Sequence, residues 1–323
     1  MFSWSSFYYK FRDSKLKINE DQNGNTMRCK IKHYYEYLVK QKDDSPLVLN
    51  EDGIEGRRSG RMLTEAYHVP KYFREDLFSI MGESNRPLYK NFNITPERSG
   101  LQITRDEFMR STWDTCINGK KLWIIFPDEV PKFVAEGTMH FKRHNEMTKD
   151  PAQKIDPEIP IDYFYRILPQ IIANEGVSNL NHLCFVQKAG ETVYIPSGCW
   201  YAYVSIEDSM SVMEKYAPKI HFDNTWKSFR CLRKKLSQFF IDIVAKKDQN
   251  LYQRLLDLNE RDGYQMPKTI REEKKNGNLK VFRDDISTTT YLDTISQRSN
   301  EFSPDYYLSR SSTNSVDSQT GKR

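Results

Sequence analysis

From about Leu101 the chain alternates short apolar runs with turn residues, and no other feature of the sequence constrains the fold as tightly. Residues 101–104, 122–126, 184–187, 192–195, 201–206 and 210–213 are each of strand length and rich in β-branched or aromatic types. Asn118-Gly119, Pro127-Asp128, Ala189-Gly190 and Pro196-Ser197-Gly198 bound them, all turn-forming. Many short strands joined in this way fit an antiparallel sandwich or jelly roll, mainly β with flanking helices. Residues 131–181 are charged, irregular and helix-compatible, which suits a decoration on a barrel.

Outside this stretch the period changes. The tyrosine-rich His33-Tyr34-Tyr35-Glu36-Tyr37-Leu38 reads as helical, Asn23-Gly24-Asn25 as a turn, and 50–60, with its glycines and charges, as an exposed loop. After Asn224, Phe229, Leu232, Leu236, Phe239 or Phe240, and Ile243 or Val244 recur on one face of an amphipathic helix, and 251–258 forms a second. Such helices pack on their own domain or on a second copy as a homodimer, and the pattern does not choose. Beyond Asp285, Ser, Thr, Asn, Asp and Arg dominate, as in a disordered tail open to phosphorylation. The chain therefore divides into an N-terminal helix-and-strand region (1–66), a β core (67–224), C-terminal helices (225–260) and a Ser/Thr-rich tail (261–323).

Composition narrows the functional classes. The 323 residues suffice for one large domain or two small ones, and a mean hydropathy of -0.75 is what a polar tail diluting a folded part produces. No apolar window reaches the roughly 18 residues of a membrane span. The start lacks a signal pattern, so a soluble intracellular protein without membrane association is expected. Cys29, Cys116, Cys184, Cys199 and Cys231 are scattered without a CxxC pair, which favours buried free thiols over disulfides or a cysteine zinc site. The net charge of +5 is too mild to imply nucleic-acid binding. Two local clusters, Arg57, Arg58 and Arg61, then Arg230, Arg233, Lys234 and Lys235, read first as solvated faces; RNA or chromatin association is the sharper alternative.

Several blocks occur in a fixed order: Lys42-Asp43-Asp44-Ser45-Pro46-Leu47, Val69-Pro70-Lys71-Tyr72-Phe73 through Asp76-Leu77-Phe78, Arg98-Ser99-Gly100, Gly119-Lys120-Lys121-Leu122-Trp123, Phe126-Pro127, and Gly190-Glu191-Thr192-Val193-Tyr194-Ile195-Pro196-Ser197-Gly198. Together they resemble the Jumonji-C (JmjC) family in its arginine demethylase and lysyl-hydroxylase branch, from about Phe11 to Leu236. The resemblance implies a double-stranded β-helix of the cupin or jelly-roll type, Fe(II) and 2-oxoglutarate as cofactors, a protein partner or substrate peptide, and residence in the nucleus, or otherwise the cytoplasm. It also implies that the N-terminal region is abbreviated relative to the family, so exposed strand edges must be capped.

In active members of such a family, side chains two apart on a strand face the same way, so a His-x-Asp offers two metal ligands and a distant histidine a third. The ungapped block after Arg98-Ser99-Gly100 puts Thr104-Arg105-Asp106 in place of His-x-Asp, and Tyr201 stands for the second histidine. Only Asp106 is retained. One carboxylate with a hydroxyl and a phenol of pKa about 10 is a poor Fe(II) site. On the co-substrate side Lys121 matches the lysine that pairs with the distal carboxylate of 2-oxoglutarate. Met213 replaces a threonine, and Asp114 replaces an asparagine with a charge that opposes an anionic ligand.

Other residues offer little as ligands. His140 and His144 have the i, i+4 spacing of a helical metal pair but no third ligand nearby, so surface histidines are the simpler reading. His182 reads as a loop residue; Cys199 would give a different site; His33, His68 and His221 lie in segments outside the family's pocket. The plain structural reading makes Asp106 a hydrogen-bond acceptor, pairs Lys121 with Asp106 or Asp114, and leaves Trp113, Trp123 and Trp200 as core aromatics. Two functions follow: a catalytically degenerate binding protein, or an Fe(II)/2-oxoglutarate hydroxylase or demethylase with a metal site rearranged around Asp106. A nucleic-acid-associated scaffold is a third.

Overall fold

The computed structural model describes residues 3–20, 26–52, 58–83, 85–173 and 181–266. They belong to the unit Met1–Ile270. Residues 267–323 of the tail expected to be disordered, the turn at Asn23-Gly24-Asn25 and Arg57 lie outside the described residues. Residues 261–266 are ordered against that expectation, with Asp262 accepting from Arg230 and the Tyr264 hydroxyl donating to the Arg230 carbonyl. The strands are β1 (Lys15–Glu20), β2 (Thr26–Lys30), β3 (Leu49–Asp52), β4 (Lys90–Thr95), β5 (Gly100–Thr104), β6 (Ser111–Phe126), β7 (Leu183–Lys188), β8 (Thr192–Ile195) and β9 (Trp200–Tyr216). Every pairing among them is antiparallel.

The two long strands organise the rest. The first half of β6 lies between β8 and the second half of β9, whereas its second half lies between β7 and the first half of β9. With β4 on the second half of β9 and β5 on the first, two layers result: β2-β1-β3-β4-β9-β6-β8 and β5-β9-β6-β7. This is the double-stranded β-helix, with β6 and β9 each serving both layers.

Here the short-strand expectation needs correction. Residues 201–206 and 210–213 belong to one strand of 17 residues, and β6 runs 16 residues through Asn118-Gly119. The turn-like residues mark register shifts between Cys116 and Lys121, not a chain reversal. Gly119 has φ +82, and a Cβ there would lie 2.3 Å from the Asp208 carbonyl oxygen, so the bend of β6 is pressed against the backbone of β9. The shifts also flip the strand's faces: Thr112 and Asp114 point into the barrel before them, and Lys121, Trp123 and Ile125 after them.

Each outer face has its own cover. The helices Trp4–Phe11 and Ile31–Lys40 bury Phe7, Phe11 and Tyr34 against Phe92, Ile94 and Trp113 of the larger layer. Helices of the 131–181 insert, including Thr138–Met147 and Leu168–Ala173, bring Tyr163, Ile167 and Ile171 onto Ile124 and Phe126 of the smaller one. That insert decorates the barrel as expected. The 50–60 segment is not simply an exposed loop: Leu49–Asp52 forms β3, Arg58–Thr64 is helical, and Glu51 is buried where it accepts bonds from Arg28 and the Lys17 amide.

The C-terminal amphipathic pattern resolves into Phe222–Leu232 and Lys234–Lys247, broken at Arg233 (φ -129, ψ 63), followed by Gln249–Arg261. Their apolar faces close on Phe78, Met81, Phe108 and Ala217 of the same chain, the first of the two packings that the pattern allows. Arg230 is 3% exposed and points inward to Asn259 and Asp262, and Arg233 stands 3.8 Å from Glu107. Of the basic cluster suggested for RNA or chromatin, Lys234 and Lys235 are exposed and Arg233 is half-buried. The thiols are all free, but Cys184 is exposed on the edge strand β7, against the expectation of burial. No helix among the described residues is long and apolar enough to cross a membrane.

Candidate functional site

Thr104 closes β5 opposite Tyr201, which turns a hydroxyl and a phenol to the same side. Asp106 follows on a loop held from the C-terminal helices: Phe108 meets Phe229 edge-on at 5.4 Å, and the Thr225 hydroxyl donates to the Met109 carbonyl at 2.9 Å. Met109 takes a left-handed φ of 55 to make the turn. The Asp106 carboxylate is thereby fixed below the surface, 4% exposed.

Its oxygens are fully engaged. Oδ1 accepts from the amides of Phe108 (3.1 Å) and Arg110 (2.9 Å) and from Arg110 Nε (3.0 Å). Oδ2 accepts from the Arg110 guanidinium at 2.9 Å and lies 3.2 Å from Lys215 Nζ. A carboxylate has about four lone-pair positions, so these contacts leave it no free one for a metal. Burial by itself would raise its pKa, yet Arg110 and Lys215 hold the carboxyl well below the usual range. Burial works against the Lys215 ammonium, but Tyr201 and Asp106 raise its pKa above the ordinary lysine value. Lys215 thus stands against Asp106, the one retained ligand position.

Lys121 is enclosed, 0% exposed. Its three ammonium hydrogens meet three acceptors: Asp114 Oδ1 (2.9 Å), Asp114 Oδ2 (3.0 Å) and Ser211 Oγ (2.6 Å). Nζ also lies 4.2 Å from the centre of the Tyr203 ring. Of the pairings foreseen for Lys121, the one with Asp114 forms. Gln187 ties the neighbourhood together, accepting from Trp123 Nε1 (2.8 Å) and donating to the Asp114 carbonyl (2.9 Å). The Thr112 hydroxyl is buried with no hydrogen-bond partner among the described residues.

Beside these groups and the buried hydroxyl pair of Ser205 and Thr95 lies an apolar cluster. Trp123, Ile125, Val193, Ile195, Tyr201, Tyr203 and Met213 form one buried cluster, with Leu101, Phe185 and Cys199 packed on it. Trp113 and Trp200 are core aromatics of the outer faces, as expected. The barrel opens where β7 and β8, which each pair only with β6 among the described residues, form the outer edges of the two layers. A groove of about 480 Å³ runs there, lined by Ile125, Leu183, Phe185, Val193 and Tyr194.

The donor set does not suit Fe(II). One carboxylate already paired with two cations, a threonine hydroxyl and a phenol offer no neutral imidazole and no open carboxylate oxygen. The alternatives do not repair it. His144 Nε2 lies 3.1 Å from the Gln153 carbonyl oxygen and 3.0 Å from the Arg166 guanidinium, and the Cys199 thiol is pushed up to about 11 by burial, with Asp128 and Glu129 adding to the effect. Among the described residues no group of three His, Cys, Asp or Glu is placed to hold a metal. Lys121 likewise has no spare donor for a carboxylate of 2-oxoglutarate. The reading of the sequence missed Arg110 and Lys215. Both left a signal: Arg110 is four residues past Asp106, and Lys215 is two past Met213 on the same strand face.

A family model described as "JmjC domain, hydroxylase" matches residues 92–216. The bifunctional arginine demethylase and lysyl-hydroxylase of Caenorhabditis elegans is 28% identical over 257 residues, covering 80% of this chain and 62% of that relative. Its Caenorhabditis briggsae counterpart is 28% identical over 229 residues, 71% of this chain and 55% of the relative. A lysine-specific demethylase of Arabidopsis thaliana is 29% identical over 214 residues, 66% of this chain and 21% of the relative. The chain therefore spans less than two thirds of the length of each of these relatives.

Proposed function

Since the chain belongs to the JmjC family, we propose that it is a catalytically degenerate relative of the Fe(II)- and 2-oxoglutarate-dependent arginine demethylases and lysyl-hydroxylases, acting as a binding protein. One observation carries the reading. Asp106 is the single residue of metal-ligand type at the three matched positions, and its carboxylate is committed to Arg110, Lys215 and two backbone amides. Removing those partners to admit a metal would leave a buried guanidinium and an ammonium uncompensated. The enclosed Lys121 with Asp114 supports the same reading on the co-substrate side. The relatives are named for chemistry on arginine and lysyl groups, so a polypeptide is the partner class we favour.

The test is anaerobic titration with Fe(II) followed by a turnover assay with 2-oxoglutarate and oxygen. We expect no stoichiometric metal binding and no succinate above the protein-free background. Stoichiometric Fe(II) with 2-oxoglutarate-dependent succinate would overturn the proposal in favour of an active oxygenase with a rearranged site.

A further inference from the structure

Inside the barrel, charges are matched in sign and in number of contacts. Asp106, an anion in the position of a metal ligand, faces Arg110 and Lys215. Lys121, a cation in the position that would receive an anionic co-substrate, faces the Asp114 carboxylate through both oxygens. The second match depends on the bend of β6. Residues seven apart on a regular strand point to opposite faces, and only the register shifts between Cys116 and Lys121 bring Asp114 and Lys121 to one side.

We propose that the barrel supplies its own substitutes for both ligands: Arg110 and Lys215 take the place of a metal cation at Asp106, and the Asp114 carboxylate takes the place of an anionic co-substrate at Lys121. The inference rests on the reading of the chain as a degenerate oxygenase and adds to it how the barrel is held. The barrel is electrostatically complete as folded, because each interior cation already has its counter-ion and each counter-ion its donors. Met213 and Tyr203, apolar or aromatic against the pair, shield it from water and strengthen the attraction.

The experiment is a set of thermal unfolding curves. Mn(II), 2-oxoglutarate and EDTA should leave the wild-type midpoint unchanged, since a site with no free donor has nothing to gain by mass action. Asp114→Ala strands the Lys121 ammonium and should lower the midpoint by on the order of 10 °C. Acetate should restore part of that loss, because the missing side chain leaves room for a small carboxylate beside Lys121. The Asp114→Ala/Lys121→Met double variant should be more stable than Asp114→Ala and indifferent to acetate. If Asp114→Ala does not fold, recovery of folding in the double variant carries the test in its place.

Wild-type stabilisation by Mn(II) or 2-oxoglutarate, no loss in Asp114→Ala, no response of that variant to acetate, or a double variant no better than the single would each overturn the inference. The outcomes remain separable from those of the turnover assay. A wild-type chain that makes succinate removes the proposed function; one that makes none, with an Asp114→Ala variant deaf to acetate, removes this inference alone.

Discussion

The barrel interior and the C-terminal helices both bury cations, and they do so to different standards. In the barrel, Lys121 has three donors and three acceptors, and Asp106 has five contacts from two cations and two amides. Among the helices, Arg230 NH1 and Trp226 Nε1 share a single acceptor, Asn259 Oδ1, while Arg230 Nε and Asn259 Nδ2 have no hydrogen-bond partner among the described residues. The other guanidinium nitrogen reaches Asp262, which is 23% exposed. Paired strands hold Lys121 against Asp114, and the loop between β5 and β6 holds Asp106 against Arg110, so the charged atoms are matched although the Thr112 hydroxyl is not. A helix bundle that meets solvent at one end tolerates slack there.

The largest test of this contrast is Asp106→Ala. It leaves Arg110 and Lys215 facing each other without an anion and should cost about 3–5 kcal/mol, read from urea denaturation. Arg230→Ala should cost less, about 1–3 kcal/mol, because Asp262 can turn to water once released. Equal losses in the two variants would break the comparison.

The pH response sharpens it. Asp106 has a native pKa below its unfolded value of about 3.9, so its contribution to stability is complete above that value and is lost as the pH falls toward the native one. The gap in thermal midpoint between wild type and Asp106→Asn should therefore be constant from pH 7 to about pH 5 and shrink between pH 4 and pH 2. A gap that widens on acidification would contradict the assignment of Arg110 and Lys215 as the partners that hold Asp106 ionised.

Thiol labelling gives the smallest effect. Cys116, in the bend of β6, is 0% exposed and its thiol is pushed up to about 11, chiefly by burial. Maleimide at neutral pH should modify Cys184 first and Cys231 of the helices next, and reach Cys116 only on unfolding. Labelling of Cys116 ahead of Cys231 would show the barrel to be the looser of the two regions.

Much of this was legible in the residues. The apolar runs at 101–104 and 192–195 form β5 and β8, and the turn at Pro196-Ser197-Gly198 leads into β9. The positions of Thr104, Asp106, Lys121 and Tyr201 follow from the ordered blocks. What period-two reasoning could not deliver was the joining of strands. Asn118-Gly119 and Glu207-Asp208-Ser209 have the composition of turns, and only the contact of one with the other makes them paired bulges. Arg230 was misplaced for a related reason. The helical pattern was traced through apolar residues alone, and a guanidinium with an internal acceptor satisfies the same face.

One consequence of the shared strands concerns how the molecule comes apart. Because β6 and β9 each cross from one layer to the other, neither layer can open without dragging the hydrogen bonds of its neighbour. Amides in β4, β5 and both halves of β6 and β9 should then exchange with deuterium at a common rate set by one global opening, while the edge strand β7 frays ahead of them. A barrel of this kind behaves as a single cooperative unit in time as well as in space.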